Sequence, residues 1–418
     1  MLFKLARKSL WNRRTTALLT LLSLTVSIVL LLGIDHLRHQ AKDSFSQTLS
    51  GTDLVVGARG GQLNLLLYSV FRMGNPTQNI SWESYQELAA MRAVEWAVPL
   101  SLGDSHRGFR VLGTTGEYFE RYRYGQRRAL EFSHGEPFDG VYHAVLGAQV
   151  ARQLGYDLGQ EITLAHGTGS VSFMPHDGHP FIVVGILAPT GTPVDRTVHV
   201  SLEGIEAIHI GWEGGAPRPG RQVSPEEALQ RDLTPESVTA VLVGLSSRAA
   251  TFSVQRFINQ YPQEALMAIL PGVALTELWQ MLSMVENLLY VISAMVLLAA
   301  LIGMVTMLLA SMKERQREIA VLRAVGAGRW YLFWLVELEA LLLMAVAFAL
   351  GALLLVVGLW VAQPWLAMQF GLFVDINPLG AHTAYLMLAV AALAALAGAV
   401  PAAVAYRRAL AEGLTPRA

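Results

Sequence analysis

The sequence predicts an integral membrane α-helical protein with four transmembrane helices and one large α+β extracytoplasmic domain between helices 1 and 2. Three observations carry that reading. Uncharged apolar runs of membrane-spanning length occur at four places, and basic residues crowd the short segments beside them. Between the first two runs lies a stretch of 252 residues with the mixed polarity of a water-exposed fold.

The runs are Thr15–Ile34, Leu288–Met312, Ala340–Ala362 and Thr383–Ala405. A helix rises 1.5 Å per residue, so about 20 apolar residues cross the hydrocarbon. The overall 53% hydrophobic content is concentrated in these runs. Orientation follows from Lys and Arg, which short cytoplasmic segments retain. Five lie in residues 1–14, five in 313–330 (Lys313, Arg315, Arg317, Arg323, Arg329) and three in the tail 406–418; the loop 363–382 has none. Both termini and 313–330 are therefore expected in the cytoplasm, with residues 35–286 and the short 363–382 loop on the other side.

The first run, 15–34, begins after a basic start but lacks a small-residue cleavage pattern, so it reads as a retained anchor. A net charge of −1 points to no nucleic-acid partner, and zero cysteines mean that the external domain uses no disulfides. At its length it can bury a core without them.

Within that domain, Asp35–Leu49 stays helix-compatible and reads as a polar stalk stopped by Gly51. Asp53–Val56 reads as a strand entering a Gly57–Gly61 loop. Ser81 can cap a helix over Ser81–Arg92, although Ser84 stands where a capping box would place Glu or Gln. Ala144–Leu146, Glu161–Ala165, Val171–Phe173, Phe181–Leu187, Thr197–Ser201 and Val238–Leu245 have the β-branched content and turn boundaries of strands. Helical pieces Gly147–Leu154 and Leu202–Ile208 interrupt them, and the Gly- and Pro-rich 211–225 stretch reads as a loop. Thr276–Leu289 is a second stalk leading into the 288–312 span.

The segment KERQREIAVLRAVGAGR, Lys313 to Arg329, is the strongest signal. Ile319, Leu322 and Val325 recur at i, i+3 and i+6 as an apolar stripe, with Arg315, Glu318 and Arg329 available to a polar partner. From charge alone it reads equally as a docking helix or as a basic helix on membrane lipids.

The run Glu314-Arg315-Gln316-Arg317-Glu318-Ile319-Ala320-Val321-Leu322-Arg323-Ala324-Val325-Gly326-Ala327 closely resembles the ER-x-REIA-x-LRA-x-GA segment of MacB/FtsX-type ABC transporter permeases. Residues 6–14, within a 1–14 cytoplasmic segment, look like that family's amphipathic N-terminal helix. Pro401-Ala402-Ala403 with Arg407-Arg408 is similar to its C-terminal close. The resemblance implies that this segment docks on a separate ATPase, with Glu314, Arg315, Arg317, Glu318 and Arg323 as contacts and Ile319, Leu322 and Val325 as the docking face. It also implies two ATPase copies that bind ATP and Mg, a second permease copy or homologue, and bacterial inner-membrane residence. A periplasmic adaptor or lipoprotein is a further expected partner. Family members extract lipoproteins, drive export or transmit force, and the large domain looks more like the lipoprotein-releasing and export branches. A non-transporting mechanotransmission or signalling subunit, and a metal-handling transport component, remain as alternatives.

The chain itself offers no nucleotide site and no catalytic centre. Its four lysines lie outside any Gly-x4-Gly-Lys-Ser/Thr context, and it has neither a G-x-S-x-G elbow nor HExxH. No cofactor is expected in this chain. His36 and His39 beside Asp35, and His176 and His179 in an HDGH turn, have ligand chemistry for zinc. Neither cluster alone supplies four ligands, and His166 and His134 lie elsewhere, so no bound metal is expected. Glu286, Glu337 and Glu339 could suggest an ion pathway, but all three are expected at span ends, within reach of water or headgroups, where anchoring or interhelix hydrogen bonding is the favoured reading. The apolar Leu63–Met73 segment reads first as domain core, and alternatively as a lipid- or substrate-contacting surface through Leu66 and Phe71.

Overall fold

The computed structural model describes residues 2–167, 174–176, 178–213, 216–217, 223–314, 316–370 and 380–411. Helix α1 (Leu2–Asn12) is followed by α2 (Arg14–Gln47), which continues without interruption from its apolar run into the polar Asp35–Gln47 stretch. The chain then turns through Gly51, at φ 82°.

The domain that follows is built on a mixed sheet. Strand β1 (Leu54–Ala58) is buried throughout and runs two residues into the segment expected as a loop. It does so because Gly57 pairs with Ala240 on one side and Met267 on the other. A Cβ on Gly57 would lie 2.6 Å from a Leu65 methyl group and 2.9 Å from the Tyr68 hydroxyl, so any side chain there would displace these ends of helix α3 (Gln62–Ser69). Helix α4 (Trp82–Ala89) starts at Ser81, whose hydroxyl accepts the Ser84 N–H at 3.2 Å. The carboxylate that a capping box would supply from Ser84's position comes from Glu264 instead, accepting the Ser81 N–H at 3.1 Å.

Further strands include β2 (Val94–His106), β3 (Phe109–Thr114), β4 (Phe132–Gly135), β5 (His143–Leu146), β6 (Ala165–His166), β7 (Met174–Pro175), β8 (Phe181–Leu187), β9 (Thr197–Ser201), β10 (Ala240–Leu245) and β11 (Leu266–Ile269). Helices α5 (Ala148–Leu154), α6 (Leu202–His209) and α7 (Thr251–Asn259) lie between them. The main path of the sheet is β11-β1-β10-β2-β3-β9-β5-β8-β4. Only β3 with β9 and β5 with β8 run parallel along it.

Strand β2 changes partners along its length. Val94–Leu100 pairs with β10, while Ser101–His106 pairs with β3 and, at Asp104 and Ser105, with β6. Between Leu102 and Ser105 the register against β3 shifts, leaving Gly103 and Asp104 opposite a single residue. Such a bulge bends the strand and re-aims a side chain. The expected strand Glu161–Ala165 divides at Thr163, whose carbonyl accepts from His106 Nδ1 at 2.7 Å. The expected strand Val171–Phe173 lies outside the described residues. In the 211–225 stretch, Trp212–Glu213 pairs with Ala216–Pro217, and Ser224 closes a capping box with Glu227.

One core cluster of this domain brings Leu65, Leu66, Tyr68 and Phe71 against Tyr118, Phe119, Leu242 and Ile269. Leu66 is 0% and Phe71 6% exposed, which agrees with the first reading, domain core, and corrects the alternative of a lipid or substrate surface. Leu66 on α3 and Phe71 just beyond its end are both consumed by this packing.

After β11 the chain enters α8 (Pro271–Glu314), α9 (Gln316–Ala324), α10 (Arg329–Phe370) and α11 (Ala381–Ala411). Helix α10 extends to Phe370, beyond the run that ends at Ala362 in the sequence. Among the described residues four helices, α2, α8, α10 and α11, are long and apolar enough to cross a membrane. Their inner faces share Leu24, Ile28, Leu297, Met304, Leu343, Ala347, Val390 and Ala394. Their outer faces are also apolar, with Leu19, Leu298, Leu353 and Leu396 exposed. Helices apolar all round are suited to lipid.

Close approach inside this bundle depends on small residues. A Cβ on Gly351 would lie 2.8 Å from Ile28, and one on Gly398 2.7 Å from Ala340. Glu337 and Glu339 are 5% and 2% exposed, which corrects their placement within reach of water; α10 turns both into the bundle. Glu286 pairs with Arg38 at 2.7 Å.

Candidate functional site

The segment singled out by charge contains α9, which residues 325–328 separate from α10. Its C-terminus is closed by two bonds, Ala327 N–H to Leu322 O at 2.9 Å and Gly326 N–H to Arg323 O at 2.9 Å, with Gly326 at φ 98°. That is a Schellman ending, and glycine fits its left-handed position without a Cβ clash. Arg13 meets the Ser311–Glu314 turn of α8: one guanidinium nitrogen donates to Ser311 O at 2.7 Å, and another lies 3.5 Å from the Glu314 carboxylate.

Of the residues expected to dock, Glu314 and Glu318 are exposed, while Ile319, Leu322 and Arg323 are half-buried. Val325 is 84% exposed, just beyond the last helical residue. Val321, four residues earlier and on the same face, is 63% exposed, and the sequence stripe overlooked it. Arg315 and the side chain of Arg317 lie outside the described residues.

The histidines are redistributed by the fold. His179 leaves the HDGH pairing and hydrogen-bonds the Tyr142 hydroxyl at 2.9 Å. His36 stands outside both groupings that the fold makes. His39 lies near His382, with Asp35 Oδ1 3.6 Å from His39 Nδ1 and 3.3 Å from His382 Nε2. That carboxylate oxygen already accepts the Tyr290 hydroxyl at 2.8 Å, and His39 Nδ1 donates to the Asp35 carbonyl at 2.9 Å.

His176 joins a second group. Asp104 on β2, His166 on β6, His176 after β7 and His209 at the end of α6 bring four ligand atoms within 4.8 Å of one another. The ladder places His166 opposite Asp104, and His176 N–H donates to Leu164 O at 2.8 Å. Asp104 Oδ1 lies 3.1 Å from His166 Nδ1 and 3.6 Å from His209 Nε2. The His166 and His209 rings stack with centroids 4.5 Å apart, and Trp212 covers His176 at 4.2 Å. Burial alone would raise the Asp104 carboxyl, but the facing His166 and His209 outweigh it and hold the group below the usual carboxylate range. Burial first, then neighbouring His209, pushes His176 down to about 4. Sequence spacing offered no route to Asp104 and His209, which only the sheet and α6 bring to His166 and His176.

Comparison with known proteins adds a family to this geometry. The model for the MacB-like periplasmic core domain matches residues 17–261, and that for the FtsX-like permease C-terminal matches 290–410. Among solved structures, the periplasmic region of MacB from Actinobacillus actinomycetemcomitans is 10% identical with a TM-score of 0.35, covering 55% of this chain and 94% of that one. The extracellular domain of the ABC-type transporter YknZ from Gram-positive bacteria is 15% identical with a TM-score of 0.30, covering 52% and 98%. No curated protein matches the chain. The two matched regions together run from the first membrane helix to the last, and the chain belongs to the MacB/FtsX-type ABC transporter permeases.

Proposed function

We propose that this chain couples ATP hydrolysis by a separate ATPase subunit to movement of its extracytoplasmic domain, for lipoprotein or lipid extraction or export. The observation that carries the reading is α9, a short helix set between two membrane-length helices with Val321 and Val325 exposed beside exposed Glu314 and Glu318. An apolar spot rimmed by charge suits a protein partner. Arg315, Arg317 and Arg323 complete the proposed contact set, with Ile319 and Leu322 supporting the face from below.

In this reading two ATPase copies, which bind ATP and Mg, close on nucleotide and move the α9 segments of two permease subunits. The long α2 and α8 helices carry that displacement outward. Positive charge on 1–14, 313–330 and 406–418 supports cytoplasmic termini in a bacterial inner membrane.

The test is ATPase stimulation in reconstituted complexes. Val325→Asp is expected to lower it about tenfold, equivalent to ~1.4 kcal/mol, and Val325→Leu to leave it near wild type. Unchanged stimulation in Val325→Asp, with the complex intact, would reject the assignment. Because the chain lacks cysteine, Ala320→Cys and Glu136→Cys can be labelled separately in whole cells. The two should react from opposite sides of the membrane.

A further inference from the structure

We propose that Asp104, His166, His176 and His209 form a binding site for a divalent transition-metal ion of the zinc type. This goes beyond the coupling function and replaces the expectation, drawn from sequence, that the chain holds no metal of its own.

Three features argue for an ion. The donor set is three imidazoles and one carboxylate, which suits zinc and its neighbours and disfavours calcium or magnesium, whose sites are built from oxygen. Four tetrahedral ligands at about 2.0–2.1 Å from zinc lie about 3.4 Å apart. The observed atoms fall within 4.8 Å, so rotation of the imidazoles about their side-chain torsions closes the difference.

Polar accounting points the same way. Among the described residues, His176 Nε2 and His209 Nε2 have no hydrogen-bond partner, and Asp104 Oδ1 meets only imidazole nitrogens, His166 Nδ1 at 3.1 Å and His209 Nε2 at 3.6 Å, although Asp104 and His176 are only 2% and 3% exposed. Leaving two imidazole nitrogens unsatisfied beside a buried carboxylate is costly, and a shared cation would engage all three. The contrast with Asp35, His39 and His382 is direct, because there Tyr290 and the Asp35 carbonyl already engage the carboxylate and His39.

The surroundings form a site rather than a chance meeting. The bulge at Gly103 and Asp104 re-aims β2, and Trp212 walls the group on the His166 and His176 side, at 4.9 and 4.2 Å. His166 and His209 remain about one quarter exposed, leaving an approach for an ion. Four protein ligands fill a tetrahedral shell and leave no position for an activated water. The ion would therefore tie β2, β6, the segment after β7 and the end of α6 together, and would do no hydrolytic chemistry.

The experiment uses the full chain in detergent, stripped with a chelator and titrated with Zn²⁺, with Mg²⁺ and Ca²⁺ as comparisons. One equivalent of Zn²⁺ should bind by calorimetry and elemental analysis. It should be lost in His166→Gln/His176→Gln and kept in His39→Gln/His382→Gln. Co²⁺ added to the unmutated chain should give the intense visible bands of tetrahedral nitrogen and oxygen ligation, a readout that needs no variant to fold. Failure of the unmutated chain to take up Zn²⁺ in preference to Mg²⁺, retention of the equivalent in His166→Gln/His176→Gln, or a pale octahedral Co²⁺ spectrum would each overturn the site.

Discussion

Asp104 and His166 face each other across the β2–β6 ladder, Oδ1 to Nδ1 3.1 Å apart, where β2 slips out of register with β3. The carboxylate is 2% exposed, so its interaction with the imidazoles takes place away from bulk water. Replacing it with an amide of the same size removes the charge and keeps the volume. Asp104→Asn should cost about 1–3 kcal/mol in chelator-treated protein. Thermal unfolding of the full chain in detergent near neutral pH measures this, and an unchanged midpoint would mean that the pairing adds nothing.

His199 predicts how the domain responds to acid. Burial pushes its imidazole down to about 3, helped by the Arg72 charge and opposed by the bond to the Val145 carbonyl at 3.2 Å. The unfolded chain takes up a proton near pH 6.5, while the folded chain excludes it until far lower pH. The stability is therefore complete above about 6.5 and is lost as pH falls toward 3, at up to about 1.4 kcal/mol per pH unit. His199→Asn, which keeps a donor for Val145, should flatten the fall in unfolding midpoint between pH 6.5 and 4. An identical acid profile in the variant would remove His199 from the account.

Gly398 is expected to be the least tolerant small residue in the membrane bundle. Its missing side chain leaves room for Ala340 and the Glu337 carboxylate, at 2.7 and 3.1 Å from where a Cβ would stand. Gly398→Leu should destabilise the detergent-solubilised protein by about 1–3 kcal/mol through overpacking. Gly358→Leu is the control, since a Cβ there meets nothing within 4 Å. Equal unfolding midpoints for the two variants would count against close packing at Gly398.

The start of α4 separates a local cap from a distant one. Ser81→Ala removes the acceptor for Ser84 N–H and should cost about 1 kcal/mol. Glu264→Ala leaves that acceptor intact but removes the bonds to the Ser81 N–H and hydroxyl, at 3.1 and 3.0 Å. Because the Ser81 side chain joins both arrangements, the double variant should cost less than the sum of the single ones. Full additivity in denaturant titrations would show that the caps act independently.

How much of this could be read from the residues depended on the range of the interactions involved. Phe181–Leu187 and Thr197–Ser201 were legible because β-branched residues fill them and glycine or proline turns flank them; β8 and β9 have those same ends. The basic segment was legible because its five basic residues and the Ile319, Leu322 and Val325 stripe lie within one short run of sequence. Asp104 and His209 were not, since their association with His166 and His176 is made by a ladder register and a helix end far apart in the chain. Leu66 and Phe71 could be core or surface on hydrophobicity alone, and packing of α3 on the sheet decided for core. Glu337 and Glu339 followed the same logic in reverse: proximity to a span end suggested solvent, and the rotation of α10 turned them inward.

Helix α8 has 44 residues and so extends about 66 Å, more than twice the ~30 Å hydrocarbon thickness. One unbroken α-helix also fixes angular phase along its axis. Each residue added or removed within its apolar run would turn the residues beyond it by about 100° about the axis, out of the face where Leu297, Leu301, Met304 and Leu308 pack in the bundle. Insertions at this helix should therefore be tolerated by whole turns and resisted in between.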